Sequence, residues 1–307
     1  MPQMKPKPAR NGRKRPLVRS IGLSPTERRN PRSIHLDTLP TRAAIRLMLS
    51  EEAKVPGRVL REIRTIEQAI ELITRAFRQR GRLFYAGAGT SGRLGALDAS
   101  ECPPTFQTPP AQVQALIAGG LVALWKSTES AEDDSQAGAA AIRAKRVGAR
   151  DVVVGIAASG TTPFVWGALD EARQRRAKTI LVCFNPHLKF PRGCRPSVVI
   201  APEVGPEVLT GSTRLKAGTA TKLILNLFTT LSMVRLGKVR SNLMVDLNPS
   251  NSKLKDRAVR IARELTGATE AQTRLILEKH RWSVRRALDE LANLSASVSK
   301  RHVLNSR

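Results

Sequence analysis

Apolar positions along the chain follow two rhythms. Val59, Ile63, Ile66, Ile70, Ile73 and Phe77 recur at three- and four-residue steps, which predicts one buried face of a long helix. A shorter helix precedes it from Thr41, with Asp37 or Thr41 as its cap. Further on come short continuous apolar runs at 83–86, 113–118, 152–157, 179–183 and 198–201. Continuous rather than alternating runs predict strands buried on both faces. Helical stretches at 90–99, 135–147 and 163–176 lie between them, and another is expected over 216–236. Strand–helix alternation of this kind predicts an α/β fold, a three-layer doubly wound parallel sheet. Residues 253–265, 270–279 and 283–294 then read as three short helices, with Gly267 and Trp282 near the breaks. The expected organisation is a disordered tail at 1–25, a sheet domain with N-terminal helices at 26–250, and a small helical module and tail at 251–307.

Composition narrows the functional classes. Lys and Arg number 52 against 25 Asp and Glu, a formal charge of +27, so the surface field attracts anions without choosing among them. Residues 1–32 alone hold ten basic residues against one acid, Glu27. The tail is expected to be unstructured, with nucleic-acid contact as one use of its charge. Aromatics are 4% of the chain, with one tyrosine, which argues against base stacking as a main activity. Cys102, Cys183 and Cys194 have no disulfide or zinc spacing, and Cys102 reads as structural. No apolar run has the length of a membrane span or a secretory signal, so a soluble cytoplasmic protein is expected, with no membrane partner. His35, His187, His280 and His302 lack metal-ligand spacing, and no metal is expected.

Ligands of doubly wound sheets bind beyond the carboxyl ends of the strands, so the loops there carry the candidate chemistry. The first strand runs into Gly87-Ala88-Gly89-Thr90-Ser91-Gly92-Arg93. This satisfies the dinucleotide pattern G-x-G-x-x-G, but the second strand ends Ile117-Ala118-Gly119-Gly120-Leu121 without the acid that would hold a ribose. What is left is an anion cradle at a helix N-terminus, with Gly89, Thr90, Ser91 and Arg93 as contacts. The third strand repeats the device in Ser159-Gly160-Thr161-Thr162-Pro163, although Ser and Thr here are also ordinary helix caps. A third cluster, at 205–219, contributes Glu207, Ser212, Thr213 and Lys216, either as site residues or as a capped helix with solvated charges. Asp98, Glu101, Glu129, Glu132, Asp133 and Asp134 follow the first two strands, and two such carboxyls could divide acid and base work.

The stretch from Gly87 to Gly95, continuing into Asp98-Ala99-Ser100-Glu101-Cys102-Pro103-Pro104-Thr105, closely resembles the signature of the N-acetylmuramic acid 6-phosphate etherases of the sugar isomerase (SIS) domain superfamily. Thr26-Glu27-Arg28-Arg29-Asn30-Pro31, the 205–219 cluster and Asn242-Leu243-Met244-Val245-Asp246 are similar to other motifs of that family. The likeness runs from about residue 26 to about residue 295. It implies a SIS (flavodoxin-like) sheet domain with a UBA-like C-terminal module, working as a homodimer without metal or cofactor in amino-sugar catabolism and peptidoglycan recycling. It implies cleavage of the D-lactyl ether of N-acetylmuramate 6-phosphate to N-acetylglucosamine 6-phosphate and D-lactate. Its two acidic catalytic residues fall on Glu101 and Glu132. The chain departs from the family pattern at Thr161, usually Arg, and at Leu121, often an acid. Two alternatives stay open: a SIS-type sugar-phosphate isomerase, and a sugar-phosphate-sensing regulator without catalysis.

Overall fold

A computed structural model describes residues 19–20, 22–191, 193–247 and 249–292. The expected tail falls mostly outside these residues, as does everything after 292. Its described end is not free chain. β1 (Arg19–Ser20) pairs antiparallel with β6 (Leu188–Lys189), and Ser24 and Pro25 are buried.

Three helices lead in: α1 (Thr41–Glu52), α2 (Val55–Leu60) and α3 (Ile63–Arg78). Then strands and helices alternate as β2 (Leu83–Gly87), α4 (Gly89–Phe106), β3 (Val113–Ile117), α5 (Ser135–Ala144), β4 (Val152–Ile156), α6 (Pro163–Gln174), β5 (Lys178–Val182) and β7 (Val198–Ile200). The long α7 (Lys216–Arg235) closes the domain. Five strands form one parallel sheet in the order β3-β2-β4-β5-β7.

Side chains along the central strands alternate between two cores, because successive residues of a strand point to opposite faces. Leu83, Tyr85, Val152, Val154, Ile180 and Val182 meet the apolar stripe of α3 and the inner face of α7. Phe84, Ala86, Val153 and Leu181 meet α5 and α6. This sandwich excludes water from both faces, which is why the runs read as continuous in the sequence. On the second face α5 and α6 approach backbone to backbone. A Cβ on Gly138 would stand 2.0 Å from the Phe164 carbonyl oxygen, and one on Gly167 1.8 Å from that of Ser135. Only glycine allows that approach.

A hairpin of β8 (Val239–Arg240) and β9 (Leu243–Met244) precedes α8 (Ser252–Thr266), α9 (Glu270–Lys279) and a helical stretch at 284–292. These helices have their own core, including Val259, Ile261, Leu277 and Leu288. Val245 and Leu247 belong to it too, so the module's packing begins before the boundary expected at 250. Among the described residues no helix is long and apolar enough to cross a membrane.

Candidate active site

The strand order sets where the crevice opens. The chain leaves β2 for β3 on one side and returns to β4 on the other, so the loops after β2 and β4 diverge. A crevice forms at such a switch point. Here it is a cavity of about 260 Å³. The N-terminal turn of α4 supplies Gly89, Thr90 and Ser91, and the β4–α6 loop supplies Ser159 and Thr162. Thr213 and Gly211 enter from the loop before α7, and Glu132 from the 3-10 turn Glu129–Asp133. Glu27 completes the wall from the N-terminal segment.

The two hydroxyl elbows end at helix N-termini, where unpaired N–H groups and the helix dipole favour an anion. The β4–α6 elbow is ordered from within. The Thr161 N–H donates to Ser159 Oγ at 3.2 Å, the two hydroxyls stand 3.0 Å apart, and Trp166 Nε1 donates to the Gly160 carbonyl at 2.8 Å. Gly160 and Thr161 thus shape the elbow without lining the cavity. Thr162 Oγ1 donates to Glu132 Oε1 at 2.8 Å, which aims an otherwise exposed carboxylate at the crevice.

Several expected ligand contacts have other work. The Arg93 guanidinium donates from Nε to the carbonyls of Ala123 and Leu124, both at 3.0 Å, and from Nη2 to Lys126, so it secures the loop after β3. Glu207 is fully buried and accepts the backbone N–H groups of Lys216 and Ala217, each at 3.0 Å, which caps α7. Burial raises its carboxyl pKa, against the pull of those N–H groups and the Lys216 charge. Lys216 is itself 1% exposed, its ammonium 3.0 Å from Glu51 Oε2. Ser212 lies beside the cavity rather than on its wall, its N–H donating to Leu209. These residues looked like anion ligands because charged and polar types clustered before a helix. Within this chain Arg93, Glu207 and Lys216 are engaged by protein groups, Lys216 by a carboxylate 165 residues away.

Glu101 also lies off the cavity. It is exposed on α4, about 18 Å along the axis from the helix N-terminus. One turn earlier Asp98 is buried, accepting from Tyr85 Oη at 2.8 Å and Thr229 Oγ1 at 3.2 Å. Burial pushes its carboxyl up to about 6, despite those hydrogen bonds. The chain therefore joins Glu132 to the two elbows and leaves Glu101 exposed away from the cavity.

Glu27 is the cavity residue that site reasoning missed. The available signal was its isolation as the one acid in the basic segment 1–32. The residues around it explain the placement. Asn30 Nδ2 donates to the carbonyl of Pro206, Ser33 Oγ to that of Val208, and the Gly211 N–H to that of Thr26. The N-terminal segment is thereby laced to the loop before α7.

A parallel sheet of this order, with paired hydroxyl elbows at its switch point, defines the chain as a SIS-type α/β protein. The model of the glucokinase regulatory protein N-terminal SIS domain matches residues 65–173. A phosphoheptose isomerase from Francisella tularensis shares the fold, with TM-score 0.51 at 17% identity, over 64% of this chain and 100% of that one. Much closer in sequence is the N-acetylmuramic acid 6-phosphate etherase of Gloeobacter violaceus, 52% identical over 86% of this chain and 85% of its own length. The enzyme of the same name from Edwardsiella ictaluri is 44% identical over 86% of this chain and 97% of its own length. The chain belongs to the N-acetylmuramic acid 6-phosphate etherase family.

Proposed function

We propose that the protein is a carbon–oxygen lyase that hydrolytically removes the D-lactyl group of N-acetylmuramate 6-phosphate, leaving N-acetylglucosamine 6-phosphate. The observation that carries this reading is the switch-point cavity, with two anion-binding elbows beside a carboxylate held by Thr162. The phosphate sits at Thr90, Ser91 and Ser159, with Thr213 on the facing wall, while the Thr162 hydroxyl stays with Glu132. Its binding energy, remote from the reacting carbons, orients the sugar.

An alkyl ether resists direct displacement at neutral pH. In the open-chain sugar the C1 aldehyde acidifies the C2 hydrogen, so elimination is the accessible route. Glu132 removes the C2 proton, and the C3–O bond breaks as a carboxylic acid protonates the departing lactyl oxygen. Water then adds across the C2–C3 double bond, its hydroxyl to C3 and a proton to C2. We assign the acid to Glu101. Because that residue lies off its own chain's cavity, it comes from the second copy in a homodimer. Each proton transfer contributes roughly 10²–10⁴-fold. The free, buried thiols of Cys102 and Cys183 suit a reducing cytoplasm. The division of labour is a substrate-binding sheet domain and an accessory helical module.

Two measurements test this. Glu101→Ala should stop lactate release from N-acetylmuramate 6-phosphate while C2 hydrogen exchange with solvent persists, and full release would overturn the assignment. Mixing Glu101→Ala with Glu132→Ala protein should restore activity through hybrid dimers holding one intact site. No restoration would place both glutamates in one chain's site.

A further inference from the structure

The cavity holds a second carboxylate that the mechanism above does not use. Glu27 ends a 3-10 turn, Pro25–Glu27, whose Thr26 is fully buried. That turn is not a loose surface strand. Ser24 and Thr26 hydroxyls stand 3.1 Å apart, and the Gly211 N–H reaches the Thr26 carbonyl at 3.2 Å. Gly211 has φ +76°, and a Cβ there would lie 3.2 Å from Glu27 Oε2. The glycine leaves room for the carboxylate at the cavity wall.

Among the described residues the Glu27 carboxylate has no hydrogen-bond or ion-pair partner, whereas Glu132 is engaged by Thr162. The other polar side chains on the wall are hydroxyls, which can donate to a phosphate. A carboxylate only accepts, and it repels a phosphate brought against it. An exposed, unengaged carboxylate on an anchored turn, in a wall otherwise rich in hydroxyl donors, therefore gives the cavity a polarity. The elbow hydroxyls suit negative charge, and the Glu27 carboxylate suits N–H and O–H donors.

We propose that Glu27 is a sugar-orienting residue, whose carboxylate accepts hydrogen bonds from hydroxyl or amide N–H groups on the neutral part of the sugar phosphate and directs the phosphate to the elbows. This rests on the sugar-phosphate reading of the same site. It adds a specificity-determining contact supplied by the N-terminal segment, outside the sheet domain's own loops.

The test uses the full chain and Glu27→Gln, which keeps the side chain's size and, with no partner to lose, its fold. Calorimetry measures binding of N-acetylglucosamine 6-phosphate and of inorganic phosphate, beside kcat/KM for lactate release. The variant should bind the sugar phosphate about 10- to 100-fold more weakly and lose a similar factor in kcat/KM. Inorganic phosphate should bind as before or more tightly. Unchanged sugar-phosphate affinity in the variant, equal loss of both ligands, or a wild-type protein that binds no sugar phosphate would each overturn the proposal. Wild-type protein that binds the sugar phosphate and releases no lactate would overturn the lyase reading and leave the Glu27 measurement intact.

Discussion

Replacing Glu51 by Gln would isolate a buried charge. Glu51 is 3% exposed at the end of α1, and Lys216 is 1% exposed at the start of α7. Their charged atoms stand 3.0 Å apart, and Arg32, Lys54 and Asn30 also donate to the carboxylate. Burial alone would raise the Glu51 carboxyl. Hydrogen bonds from Lys54, Lys216 and Arg32 outweigh it and bring the carboxyl down from 4.5 to about 2. Arg32 and Lys54 reach solvent and can find water when the carboxylate goes, but Lys216 cannot. Breaking a buried pair by removing one partner costs about 3–5 kcal/mol. In a domain this large that lowers the melting temperature by on the order of 10 °C. The assay is urea and thermal unfolding followed by circular dichroism, on Glu51→Gln and on Glu51→Gln with Lys216→Met. The double variant should recover much of the loss, because no charge is then stranded. A group with a lowered native pKa stabilises fully above its unfolded value and loses that contribution as pH falls through the native one. Wild-type protein should therefore shed this contribution between about pH 4.5 and 2, and Glu51→Gln should show a shallower acid limb. A loss below about 1 kcal/mol, or a double variant no more stable than the single, would refute the account.

Two other outcomes follow from the geometry. Thr162→Val removes the donor that aims Glu132 and should lower kcat for lactate release by about 10- to 100-fold, while Thr162→Ser restores most of it; undiminished turnover in the valine variant would count against the role given to Glu132. Asp98 has a native pKa raised from 3.8 to about 6, so the folded state holds its proton longer and stability should fall as pH climbs through that window. Asp98→Asn should flatten that slope in urea midpoints taken from pH 4 to 7, and an unchanged slope would assign it to another group.

Glu51 and Lys216 also show where sequence reading ran out. In sequence, Lys216 sits beside Ser212, Thr213 and Arg214 and looks like a phosphate ligand. Its partner lies 165 residues earlier, and nothing local announces the pairing. Glu207 is engaged closer to home, capping α7 through a turn that brings it back to Lys216 and Ala217. Glu27 erred in the other direction. It stood in a family-like motif and not among the expected site residues, and only the lacing of Thr26, Asn30 and Ser33 to residues 206–211 carries it to the cavity. The hydroxyl elbows were legible because they abut the strands whose ends define the crevice, so their location followed once the strands were found.

The chain's own order of residues determined the strands, the helices between them, the parallel sheet and the two elbows. Each of these follows from the spacing of apolar side chains or from residues adjacent to a strand end, and such interactions act over a few positions. Tertiary structure alone decided which charges are scaffold and which face the ligand. A carboxylate or ammonium takes its role from the solvent it loses and the partner it meets, and both are set by segments far apart in the chain.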